Sequence, residues 1–118
     1  MKIRIKGNFI RYRLTRPEVE GLSANNTLSE TVDFGNRKLI YSISCTNDDA
    51  LSATFIGDEI NLRFPEAWLA EWKSTDKVGY KGTSGALSIL LEKDFTCLDN
   101  VEEDQRDHYP HPLLSQNK

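Results

Sequence analysis

The chain has 118 residues, a net charge of −3 and an ordinary apolar content. That length fits one domain able to bury a core without disulfides or metals, and so mild a charge names no partner. The longest apolar stretch, around Leu87 to Leu91, is far too short to span a bilayer, and no apolar run follows the basic start to make a secretory signal, so a cytoplasmic location is expected.

Residues 2–6 alternate basic and apolar, with Lys2, Arg4 and Lys6 on one face and Ile3 and Ile5 on the other, the period of a half-buried strand. Gly7-Asn8 marks a turn, and residues 9–14 alternate again through Ile10, Tyr12 and Leu14, which predicts a hairpin. Thr15 and Glu18 have capping-box spacing around Pro17, so a short helix is predicted from about Arg16, ended by Gly21 and the polar run Ser23 to Thr27. A second strand pair follows over Thr27 to Phe34 and Leu39 to Cys45, joined at Gly35-Asn36, before the polar break Thr46 to Asp49.

The same plan then restarts. Leu51 to Ile56 and Glu59 to Phe64 flank Gly57-Asp58, Pro65-Glu66 opens a helix over Ala67 to Lys73, and Trp68 and Trp72 share one of its faces. Lys77 to Lys81 and Ala86 to Lys93 form the last predicted pair around Gly82-Thr83-Ser84-Gly85. Gly7 to Leu14 lies over Gly57 to Phe64, Pro17-Glu18-Val19 over Pro65-Glu66-Ala67, and Tyr41-Ser42-Ile43 over Leu87-Ser88-Ile89. The expected fold is a strand-dominated α+β domain over 1–118. A pseudo-two-fold pair of hairpin–short helix–hairpin units, about 1–46 and 51–93, would form a barrel or curled antiparallel sheet, with an irregular acidic tail over 94–118. The expected core draws on Ile3, Ile5, Ile10, Tyr12, Leu14, Phe34, Tyr41, Ile43, Phe55, Ile60, Leu62, Phe64, Leu69, Leu87, Ile89 and Leu91.

Charge placement is the first candidate for chemistry. Lys2, Arg4, Lys6, Arg11 and Arg13 share one face of the first hairpin, with Arg16 just beyond and no acidic residue among the first sixteen. Such a face attracts phosphate or other anions, and Phe9 offers a base a stacking surface. The plainer reading is a solvated strand face or an edge guarded by charge. The matching positions of the second unit, Ser52, Thr54, Glu59, Asn61 and Arg63, do not repeat the charge. The acidic run of Asp99, Glu102, Glu103, Asp104 and Asp107 is either a solvated tail or a cover for the basic hairpin.

Cys97, His108 and His111 carry metal-ligating groups, but Pro110 and Pro112 extend the chain between them and no fourth ligand is evident, so no metal or other cofactor is expected. Cys45 and Cys97 form no CxxC pair and are read as reduced thiols. No catalytic residue is singled out: Ser84 lacks the nucleophile-elbow pattern, and no phosphate-binding glycine loop occurs. Glu18 and Glu20 are similar to the Glu-x-Glu-x-Lys opening of triphosphate tunnel enzymes, but Leu22 stands where the lysine belongs.

The expected function is therefore a small non-catalytic binding or interaction module, with a protein partner or an anionic ligand and no membrane contact. The alternative is an anion-binding protein that takes nucleic acid or a phosphorylated small molecule on the basic hairpin, with or without hydrolysis. Lys2-Ile3-Arg4-Ile5-Lys6-Gly7-Asn8, Arg11, Arg13-Leu14-Thr15, Glu18-Val19, Glu92-Lys93-Asp94-Phe95, Cys97-Leu98 and Tyr109-Pro110 together resemble a family of short uncharacterised bacterial proteins that spans almost the whole chain. The resemblance implies no activity and no catalytic residues. It does imply that the tail belongs to the domain.

Overall fold

The computed structural model describes residues 1–95. Ten elements follow in order: β1 (Lys2–Lys6), β2 (Phe9–Leu14), α1 (Arg16–Asn25), β3 (Thr27–Asp33), β4 (Lys38–Thr46), β5 (Ser52–Ile56), β6 (Glu59–Pro65), α2 (Glu66–Ser74), β7 (Gly79–Ser84) and β8 (Leu87–Lys93). The strands form two four-stranded sheets, the first ordered β1-β2-β8-β7 and the second β3-β4-β6-β5. Each sheet takes one hairpin from the first half of the chain and one from the second. Within each, the two hairpins join through a central parallel pair, β2 beside β8 and β4 beside β6.

This corrects the expectation of a barrel or a curled antiparallel sheet. The sheets are mixed, and their edges meet without a backbone ladder. Side chains tie them instead: Ser84 Oγ on β7 donates to the Ala53 carbonyl on β5 at 3.3 Å, and Tyr41 Oη on β4 donates to the Met1 carbonyl at 3.3 Å. The Met1 ammonium is held by the carboxylates of Glu18 and Glu30.

The registers of the halves correspond closely. Lys2 faces Arg13 and Lys6 faces Phe9, and fifty positions on Ser52 faces Arg63 and Ile56 faces Glu59. Exchanging the halves turns the strand order of one sheet into that of the other. The parallel pairs place Tyr41 beside Ile60 and Ile89 beside Ile10. Tyr41 therefore corresponds to Ile89, two residues from the alignment read in the sequence.

Alternation sends Tyr12, Leu14, Ile89 and Leu91 of the first sheet, and Ile43, Leu62 and Phe64 of the second, into a shared interior. Helix α1 closes it with Val19 and Leu22, α2 with Leu69 and Trp72. The expected capping box forms between Thr15 and Glu18. The helix does not stop at Gly21, because one interior glycine costs only about 1 kcal/mol and burial of Leu22 outweighs it. It ends at Asn26, whose left-handed backbone returns its N–H to the Leu22 carbonyl at 2.8 Å.

Ile5, Phe34 and Phe55, expected inside, are 59, 66 and 70% exposed. All three lie at or beside hairpin turns, at the end of the sheets away from the helices. Leu22, Leu51, Val19 and Trp72 join the core instead. The run Gly82-Thr83-Ser84 is strand, not loop, and only Gly85-Ala86 turns. Gly82 serves a close approach: a Cβ there would lie 2.9 Å from Leu51 Cβ. At Gly79 a Cβ would lie 2.0 Å from the Leu91 carbonyl oxygen.

Candidate anion-binding face

The ladders fix what faces outward on the first sheet. Residues of β1 and β2 pair as Lys2 with Arg13, Arg4 with Arg11 and Lys6 with Phe9. Strand β8 sets Glu92 beside Arg13, Leu90 beside Arg11 and Ser88 beside Phe9. Strand β7 adds Gly79, Lys81 and Thr83 opposite those three. The outer face therefore carries Lys2, Arg4, Lys6, Arg11, Arg13 and Lys81 against one strand carboxylate, Glu92, with Asp94 just past the end of β8. Corresponding positions of the second sheet hold Ser52, Thr54, Ile56, Arg63, Asn61, Glu59, Ser44, Ser42 and Ile40, with Thr27, Ser29 and Thr31 at the edge, so acid and base cancel there.

Among the described residues Glu92 is the carboxylate that pairs with the arginines of this face. Its Oε1 accepts from Arg13 Nε at 3.0 Å and lies 3.5 Å from Arg11 Nη1. Arg11 is pressed against the sheet, and its Nε is buried with no hydrogen-bond partner among the described residues. A buried donor left unpaired costs roughly 1–3 kcal/mol. Lys2 reaches across to Asp94 at 3.0 Å, while the Asp94 N–H donates to the Leu14 carbonyl at 2.8 Å. Arg4, Lys6 and Lys81 have no carboxylate partner among the described residues.

Two hollows lie on this face. One of about 310 Å³ is lined by Lys2, Ile3, Arg4, Arg11 and Arg13. The other, about 490 Å³, is lined by Phe9, Lys81, Gly82, Thr83, Ser88, Ile89 and Leu90. The first concentrates positive charge, and the second offers the half-buried Phe9 ring and the Leu90 side chain.

The five cations expected from the sequence thus share one face, with Arg4, Arg11, Arg13 and Lys2 around one hollow and Lys6 at its far end beside Phe9. Arg16 lies apart, lining a hollow near the ends of both helices. Glu92, Lys81 and Leu90 were missed. Their outward direction follows from alternation with Tyr80 and Leu91, but no local signal says which hairpin they join.

Two other groups of reactive type among the described residues, Ser42 and Cys45, are structural. Ser42 is buried and donates to Glu59 Oε2 at 2.5 Å while accepting from Asn61 Nδ2 at 2.8 Å, a closed hydrogen-bond ladder with no free nucleophile. Burial, helped by Glu66, pushes the Cys45 thiol above its ordinary range, which disfavours the reactive thiolate. Among the described residues no group of three or more His, Cys, Asp or Glu side chains could hold a metal ion. Cys97, His108, His111 and the acidic run Asp99 to Asp107 lie outside the described residues. No helix among the described residues is long and apolar enough to cross a membrane.

No curated protein and no solved structure matches the chain. One family model matches residues 1–113, so the chain belongs to a family of unknown function, DUF7009.

Proposed function

We propose that the chain is a single-domain, non-catalytic binding module whose ligand is anionic and lies on the outer face of the first sheet. The observation that carries this reading is the contrast between matching faces. Six cations meet Glu92 and Asp94 among the described residues on one, whereas Arg63 and Glu59 cancel on the other. Like charges directly across a strand pair repel, and here Lys2 faces Arg13 and Arg4 faces Arg11. An arrangement costly on its own is relieved by a bound anion. Glu92 occupies part of that role in the free chain, and a phosphate group is a stronger bidentate acceptor for the same guanidinium groups. A cytoplasmic setting, with Cys45 as a reduced thiol, accords with this reading.

We also infer that the halves descend from one hairpin–helix–hairpin unit. Identical hairpin registers and the exchange symmetry of the strand orders support that origin. The charged face then belongs to one copy alone, as expected of a function acquired after duplication.

The test is calorimetric titration of the full chain with tripolyphosphate at about 50 and 200 mM salt. Affinity should fall steeply with salt. It should rise for Glu92→Gln and vanish for the double variant Arg11→Glu, Arg13→Glu. Circular dichroism checks the fold of each, and Arg4→Glu, with no carboxylate partner among the described residues, provides a third variant. Wild-type affinity in both charge-reversed proteins would rule the face out.

A further inference from the structure

We propose that the ligand of this face is an unpaired nucleotide, free or within a single strand, whose base stacks on Phe9 while its phosphate lies over Arg11 and Arg4. The inference rests on the anion-binding reading and adds a ligand class to it.

Phe9, Arg11 and Arg13 alternate on the outer side of β2. Successive residues on one side of a strand are roughly 7 Å apart, comparable to the reach from a base to its own phosphate. Arg4 faces Arg11 from β1, so two guanidinium groups stand beside the position one phosphate would take. Leu90 neighbours Arg11 on the other side, and Ser88 neighbours Phe9. The base thus meets a largely apolar, aromatic hollow with the Ser88 and Thr83 hydroxyls and the Lys81 ammonium at its margin, and the phosphate meets the more strongly cationic one. A plain phosphate ligand finds only Lys81 to use in the second hollow, whereas a nucleotide also uses its Phe9 and Leu90 surface. The face measures roughly 13 Å along the strands and about 14 Å across them. That accommodates a few unstacked nucleotides, but a duplex hides its base faces from Phe9.

The experiment compares tripolyphosphate, uridine monophosphate, a ten-nucleotide oligouridylate and the same strand in duplex form, each titrated into the full chain and into Phe9→Ala. The nucleotide and the single strand should each lose about tenfold or more in affinity on Phe9→Ala, and tripolyphosphate should lose nothing. Phe9→Leu, which keeps apolar packing but lacks the aromatic plane, stands in if Phe9→Ala does not fold. Phe9-dependent binding of uridine monophosphate assigns a free nucleotide, and Phe9-dependent binding of the strand alone assigns a nucleic acid. If tripolyphosphate binds but neither nucleotide probe depends on Phe9, the nucleotide assignment falls and the anion reading stands. Equal affinity for the duplex overturns the unpaired nucleotide. Binding of none of the probes overturns both readings.

Discussion

Trp72 is the largest fully buried side chain among the described residues, and its replacement can be sized from its contacts. The residue is fully buried on α2. Its ring stands edge-on to Phe64 at 5.6 Å and to Tyr80 at 6.2 Å. Its indole N–H donates to the Val78 carbonyl at 3.2 Å, fixing the chain that leads into β7. Trp72→Ala removes the ring and opens a cavity, about 3–5 kcal/mol for a buried aromatic. It also removes the indole hydrogen bond to the Val78 carbonyl, which keeps the Lys93 N–H as a donor at 2.8 Å, at roughly 1 kcal/mol more. Domains of this size have only about 5–15 kcal/mol in total, so the variant should be marginal. Trp72→Phe keeps most of the ring and loses the donor and part of the volume, for about 1–2 kcal/mol. Urea unfolding followed by far-ultraviolet circular dichroism reads both. With a slope of about 2 kcal/mol per molar, the midpoint should fall by roughly 2 M for Trp72→Ala and under 1 M for Trp72→Phe. A Trp72→Ala midpoint within about 0.5 M of wild type would show that the helix can lift away without cost, refuting the reasoning.

Two further outcomes follow from the packing and the ion pairs. Gly82→Ala should destabilise by about 1–3 kcal/mol, because the new Cβ would lie 2.9 Å from Leu51 Cβ. Leu51→Ala in the same chain should not relieve it, since that Cβ remains; full rescue in urea unfolding would place the clash elsewhere. The second concerns pH. Burial opposes charge on both Glu18 and the Met1 ammonium, but their hydrogen bonds prevail, so Glu18 titrates below its ordinary 4.5 and the ammonium above its ordinary 8.0. Glu18's contribution is therefore complete above pH 4.5 and lost as pH falls through its lowered value. The ammonium's is complete below pH 8.0 and lost as pH rises through its raised value. Unfolding midpoints of Glu18→Gln should converge on wild type only at acid pH, and a constant offset from pH 3 to 7 would contradict the pairing.

Local order was readable from the residues themselves. Alternation through Ile10, Tyr12 and Leu14, and through Ile60, Leu62 and Phe64, marks β2 and β6 along with their inward faces. What alternation cannot show is which hairpins share a sheet. Arg11 lies beside Leu90 and Ser42 beside Asn61 through parallel pairing, which leaves no local trace. The exposed Phe34 and Phe55 escaped for the same reason, since inward is defined only where another layer lies opposite. Leu22 and Trp72 sit in short helices with little periodicity, and their burial comes from the sheets above them. In the candidate face the basic half was legible because it is one hairpin. Glu92, Lys81 and Leu90 were not, because they arrive from the far end of the chain.

Interleaving of the halves also governs the order of assembly during synthesis. The second sheet can close once β6 has emerged, but the first waits for β8, because Phe9 must find Ser88 and Leu14 must find Lys93. Contacts so distant in sequence put folding toward the slow end of the range for small domains. Throughout that wait the β1–β2 hairpin presents an unpaired strand edge, the usual template for aggregation. Its lysines and arginines make it repel identical hairpins on neighbouring nascent chains until β8 arrives and brings Glu92, so the same charges that define the mature surface act earlier as a guard on the unfinished sheet.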